Sequence, residues 1–298
     1  MKRVFLFVLT NLAVMLVVGI AMQILGVPQM LAARGIGIRL EGLLIMSALF
    51  GMGGSFFSLA ISKWMAKRSV GATVITDPRS QTEQWLLQTV SRQAQAAGIG
   101  VPEVAIYDHP TPNAFATGAR RDKALVAVST GLLRGMAPDE VEAVLGHEIT
   151  HVANGDMVTL TLIQGVLNTF VIFFSYIVGM LVDSFLRRSD DQRGPGIGSF
   201  IVRMAAQMVF GLLASLIVMW FSRQREFRAD AGGARLASPS KMIGALERLV
   251  AREGAPLPQS LAAFGISAGK GRMQLFMTHP PLEERIARLR ANAGLAQQ

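Results

Sequence analysis

The sequence contains no cysteine. That excludes thiolate nucleophiles, disulfide frameworks and cysteine-rich zinc sites at once, and leaves the redox compartment undecided. Charge is scarce too: 16% of residues are charged, 51% are hydrophobic, and the mean hydropathy is +0.41. A soluble domain carries about 25% charged residues, so the shortfall implies membrane segments joined to a soluble part. There are only two tyrosines, and no basic run is interleaved with aromatics. The net charge of +9 therefore reads as contact with an anionic membrane surface and not with nucleic acid. Histidine is rare as well, limited to His109, His147, His151 and His279. With so few, a pair at ligand spacing stands out, and His109 reads as a surface residue without a role.

Four apolar stretches, residues 4–25, 43–62, 157–182 and 204–222, are each long enough for the roughly 20 residues a helix needs to cross a bilayer. The first follows Lys2 and Arg3. It is too long for a signal-peptide core and has no evident cleavage site before Gly26, so it reads as a retained anchor. Lys2 and Arg3, then Lys63, Lys67 and Arg68, then Arg223, Arg225 and Arg228 would fall on one side of the membrane. The positive-inside rule makes that side the cytoplasm. Arg187, Arg188 and Arg193, on the opposite loop, count against it. The spans divide the chain into a transmembrane hairpin (1–68), a first catalytic part (69–156), a second hairpin (157–222) and a second catalytic part (223–298).

In the soluble stretch, residues 69–76 predict a short strand. Residues 81–97 predict an amphipathic helix with Trp85, Leu86, Val90 and Ala94 near one face, ended by Gly98. Residues 103–107 and 124–129 predict strands, and 113–117 an extended piece after Pro110 and Pro112. Residues 137–153 predict a helix with Pro138, Asp139 and Glu140 in its first turn. Further helices are expected over 224–236, 241–252 and 281–293, with 254–271 loop-like.

His147-Glu148-Ile149-Thr150-His151 has the H-E-x-x-H pattern. On a helix, positions i and i+4 share a face, so both imidazoles can converge on one ion. Glu148, one step on, can point at a water beside that ion. A zinc ion lowers the pKa of its water to roughly 7, and Glu148 can take the proton and later hand it to a leaving amine. A catalytic zinc needs a third protein ligand. Ser222 to Asp230 offers Glu226 and, one turn later, Asp230, which can fix the tautomer of a ligand histidine. The plainer reading of that segment is a charged helix start with i,i+4 pairs. The H-E-x-x-H helix ends a few residues before the third span, roughly 9 Å if the helix continues. Glu226 follows the fourth span as closely, which sets a metal near the bilayer surface and favours membrane proteins as substrates.

Over nearly its whole length the chain resembles the HtpX-type membrane zinc metalloproteases, relatives of the zinc-dependent CaaX prenyl proteases. The likeness rests on two anchors, GHEITHVANGD, two more apolar runs, SRQREFRADAGGA and the late THPPLEERI. It implies an α-helical membrane protein with an α+β, zincin-like catalytic domain, four transmembrane helices and a small sheet. It implies one Zn2+ per chain, with Glu226 as third ligand and Asp230 behind a ligand histidine. His279 and Arg285 would hold substrate or the oxyanion. Asn113, in NAFATG, would belong to an edge strand that pairs with extended substrate. The family acts in stress-linked quality control of the bacterial inner membrane, clipping misfolded membrane proteins, and self-cleavage is a plausible hazard.

Two other readings compete. In an intramembrane protease the metal motif lies within an apolar span, yet here Asp139, Glu140, Asn154 and Asp156 flank it. A non-catalytic membrane adaptor keeping the fold would show no zinc binding, or would act regardless of Glu148. A transporter is disfavoured, because the spans lack paired charges or broken helices.

Overall fold

The computed structural model describes residues 39–186, 197–252 and 279–294, with scattered positions between 16 and 32. In chain order the elements are α1 (Leu40–Val70), β1 (Thr73–Val74), α2 (Gln81–Ala96), β2 (Glu103–Tyr107), β3 (Ala114–Thr117), a 3-10 turn (Arg121–Lys123) and β4 (Leu125–Ser129). Then come α3 (Thr130–Gly135), α4 (Pro138–Asn154), α5 (Asp156–Leu186), α6 (Ile197–Leu236), α7 (Pro239–Arg252) and α8 (Leu282–Asn292). They form two compact units: Met1–Phe57 with Thr161–Val218, and Ser58–Leu160 with Met219–Gln298.

The first unit is helical. Among the described residues three helices, Leu40–Val70, Asp156–Asp183 and Gly198–Leu236, are long and apolar enough to cross a membrane. Most of the expected first span, residues 4–25, lies outside the described residues. Leu49, Phe50, Leu212 and Leu213 are all more than half exposed, a surface that suits lipid and not water. Within this unit Leu43 and Leu44 of α1 pack on Phe173 and Ile177 of α5. Gly51 lies so close to Thr169 that an added Cβ would sit 2.5 Å from its backbone nitrogen. Small residues at such a crossing let apolar helices approach, since lipid offers no hydrophobic drive between them.

The second unit is α+β. Its sheet has the order β1-β2-β4-β3, with β2 parallel to β4 and the outer pairs antiparallel. β4 is buried at all five positions. Val126 and Val128 face the main core with Val90, Leu145 and Ile149, while Leu125 and Ala127 pack with Tyr107 and Phe115 on the other face. Alternation with period two divides the strand between two apolar layers. Ser80 opens α2 with a reciprocal cap to Glu83.

Three local readings change and a fourth lies outside the described residues. The strand expected over residues 69–76 shrinks to Thr73–Val74, because α1 runs on through Val70 and Lys67 and Lys63 hold Glu103 at 2.6 and 2.8 Å. The helix expected over 224–236 is the end of the uninterrupted α6. A short helix, α3, stands after β4, where Ser129 accepts the Leu132 N–H at 3.0 Å. The loop expected over residues 254–271 lies outside the described residues.

Candidate metal centre

α4 begins at Pro138, where Glu140 accepts the Ala137 N–H at 2.8 Å, and it ends at Gly155 in the left-handed region, φ 65°. Every residue from Ala143 to Val152 is buried, so the helix carrying the histidine pair runs through the core and not along a surface. α6 is brought to it by small residues. A Cβ on Gly232 would overlap the Thr150 side chain, and one on Gly233 would lie 3.0 Å from the His147 nitrogen. That close approach sets Glu226, fully buried, opposite the histidines.

His147 Nε2 lies 3.4 Å from Glu226 Oε2, and His151 Nε2 lies 3.4 Å from Oε1. The two Nε2 atoms are 3.1 Å apart. Ligand atoms of His147, His151 and Glu226 all fall within 4.8 Å of one another. Both Glu226 oxygens are sealed from solvent and accept no well-formed hydrogen bond. Buried carboxylate oxygens seldom lack a partner, and two imidazoles with one carboxylate are a donor set that suits a divalent metal.

Behind each histidine stands a carboxylate. Asp230 Oδ1 is 2.9 Å from His147 Nδ1, and Asp156 Oδ2 is 2.7 Å from His151 Nδ1. A carboxylate at Nδ1 takes the proton there and turns a bare Nε2 toward the metal position. Asp230 is held in turn by Arg285, whose Nε and Nη2 donate to its two oxygens at 2.8 and 2.5 Å. Arg285 is fully buried, and besides Asp230 its Nη1 stands 3.8 Å from Glu226 Oε2. His279 Nδ1 lies 2.9 Å from Glu226 Oε2. Asn113 is buried and spends its backbone on Ser129, donating N–H to Oγ and accepting from the Ser129 N–H, both at 2.9 Å. β3 is nonetheless the edge of the sheet. By the alternation of an antiparallel ladder, Ala114 and Ala116 turn their backbone groups away from β4, and that of Ala116 meets Glu148.

Burial pushes His147 and His151 toward neutrality, but the carboxylates around them win. Asp230 and Glu226 raise His147 to about 9, and Glu226 and Asp156 raise His151. Burial lifts Glu148 above the usual carboxylate range, opposed by the nearby histidines and by a backbone hydrogen bond from Ala116. The arrangement can therefore hold a cation between His147, His151 and Glu226, with a proton-accepting carboxylate beside it.

Two residues at the site escape a reading by spacing. Asp156 lies five positions after His151, and only the left-handed turn at Gly155 folds it back. The signal was the Gly-Asp pair closing the helix. Arg225 counts as a membrane-flanking charge in sequence, but it is 7% exposed and stands beside Glu226.

Residues 80–293 match the model of Peptidase family M48. The chain is 60% identical over 299 residues to the protease HtpX of Xanthomonas axonopodis pv. citri, covering 99% of each. It is 61% identical over 298 residues to the protease HtpX of Xanthomonas euvesicatoria pv. vesicatoria, again covering 99% of each. Its fold is similar to the crystal structure of S. mikatae Ste24p, with a TM-score of 0.56 and 17% identity, over 97% of this chain and 67% of that one.

Proposed function

The chain belongs to peptidase family M48 and to its HtpX proteases, and on that footing we propose a zinc-dependent endopeptidase that cuts misfolded or damaged membrane proteins. We place it in the bacterial inner membrane, with the catalytic part facing the cytoplasm. The observation that carries the reading is the buried group of His147, His151 and Glu226, with Glu148 on the same helix turn as the histidines.

In this reading His147, His151 and Glu226 hold the zinc. Zinc, when bound, supplies Lewis-acid polarisation of the scissile carbonyl and acidifies a water. Glu148 accepts the water proton as oxygen bonds to the carbonyl carbon, then returns it to the nitrogen as the C–N bond breaks. Burial, which raises its pKa above the usual carboxylate range, favours its taking up a proton. Asp230 and Asp156 keep the histidines in one tautomer, and Arg285 keeps Asp230 in place. To His279, 2.9 Å from Glu226 Oε2, this reading gives the task of meeting substrate or its developing charge. The outer edge of β3, which begins after Asn113, pairs with extended substrate backbone. Membrane proteins fit as substrates because α5 and α6, which carry Asp156 and Glu226, also carry the apolar runs. Self-cleavage follows from the same chemistry.

The test compares wild type with Glu148→Gln in detergent, measuring zinc content and cleavage of an unfolded membrane protein with and without chelator. One zinc per chain in both, with cleavage by wild type alone, is the expected result. Zinc bound by neither after metal-replete purification overturns it.

A further inference from the structure

Arg225 precedes Glu226 and faces its carboxylate, with Nε 3.5 Å from Oε1. At 7% exposure its charge is nearly out of water. Nε and Nη1 are both buried without a hydrogen-bond partner. Buried charged donors left unused are costly, and each calls for a physical reason.

The other buried arginine is more fully committed: Arg285 gives Nε and Nη2 to Asp230 and leaves Nη1 alone without a partner, 3.8 Å from Glu226 Oε2. The two oxygens of Glu226 are thus flanked unequally: His151 and Arg225 at Oε1, and His147, His279 and Arg285 at Oε2. Were Glu226 to ligate a metal, Nε and Nη1 of Arg225 would still be without a hydrogen-bond partner.

We propose that Arg225 is the donor that meets the negative charge developing on the scissile carbonyl oxygen. The inference rests on the protease reading. As water oxygen bonds to the carbonyl carbon, the C=O π pair moves onto oxygen and the water proton passes to Glu148. The guanidinium faces that oxygen until the C–N bond breaks, when the pair returns and the proton goes to nitrogen. Charge met only at that stage lowers the barrier without tightening ground-state binding.

The experiment uses the full zinc-loaded chain in detergent, as wild type, Arg225→Gln and Arg225→Lys. Three quantities are read: zinc affinity by chelator competition, kcat and KM separately, and binding of two peptides of one cleaved sequence. One peptide carries a phosphinate at the scissile position, a tetrahedral anion, and the other a neutral ketomethylene. Arg225→Gln is expected to lose about 100-fold in kcat and in phosphinate affinity. KM, ketomethylene affinity and zinc affinity stay within a few-fold. Arg225→Lys, which keeps charge but not the fork, is expected to lose about tenfold, and it carries the comparison if Arg225→Gln fails to fold. Unchanged phosphinate binding and kcat overturn the inference. So does weakened zinc binding with full rate restored by excess zinc, since Arg225 would then act through Glu226. A wild type that neither cleaves nor binds the phosphinate overturns the protease reading as well, whereas equal cleavage by wild type and variant overturns the inference alone.

Discussion

The two histidines of the metal centre are alike in sequence context but are secured differently. His147 leans on Asp230, which Arg285 clamps from α8, while His151 leans on Asp156, one glycine past its own helix. Substituting Asp156 by Asn keeps the shape but removes the charge that fixes the tautomer. Zinc affinity should fall by about 10- to 100-fold with the thermal midpoint of the metal-free protein little changed, as chelator competition and a melting curve would show. The same histidines set a pH dependence. In the metal-free protein His147 is raised from 6.5 to about 9. Its protonated form therefore contributes stability that is full below 6.5 and lost as pH rises through about 9. Zinc needs the neutral ring, so binding must expel that proton. Apparent zinc affinity should rise with pH up to about 9 and level off above it. Calorimetry at pH 7 in two buffers of different ionisation enthalpy would report the release, and identical heats would refute it.

At the scale of elements, the site exists because α4 and α6 nearly touch. Gly232 and Gly233 remove the side chains that would hold the helices apart, and Thr150, donating to the Gly146 carbonyl at 2.7 Å, is fixed where a new Cβ would go. Gly232→Ala has a helical backbone that accepts alanine, so the cost is overpacking, about 1–3 kcal/mol. The strain is relieved by moving α6, which carries Glu226 away from the histidines. The expected result is a lowered thermal midpoint together with weakened zinc binding; unchanged zinc affinity would mean that the helix contact does not set the site.

On the scale of the whole molecule, the absence of cysteine is useful. A single Gln88→Cys on the exposed face of α2 gives one thiol in the chain. A membrane-impermeant maleimide should label it in inside-out vesicles and leave it untouched in intact spheroplasts, if basic flanks such as Lys63, Lys67 and Arg68 lie in the cytoplasm. Labelling of intact spheroplasts instead would place the catalytic part outside. Another flanking charge, Arg225, is buried inside the protein, so the orientation argument rests on the others.

Much of this protein is written locally. Spacing in H-E-x-x-H places two imidazoles on one face because the helix repeat is a local property of the backbone. The apolar lengths of α1, α5 and α6 follow from composition, as does the capped start of α2. Which carboxylate meets the histidines is not local. Glu226 lies 75 positions after His151, and nothing in the spacing separates it from an ordinary charged helix start. Resemblance to a family pointed to it, but the physical reason is the glycine contact between α4 and α6. The fates of Arg225 and Arg285 were decided the same way. Both read as surface or substrate charges in sequence, and both are buried beside Glu226, one anchored on Asp230 and one not. A charged side chain declares its role only when packing has chosen its neighbours, because burial makes its partners decisive and burial is a property of the assembled core.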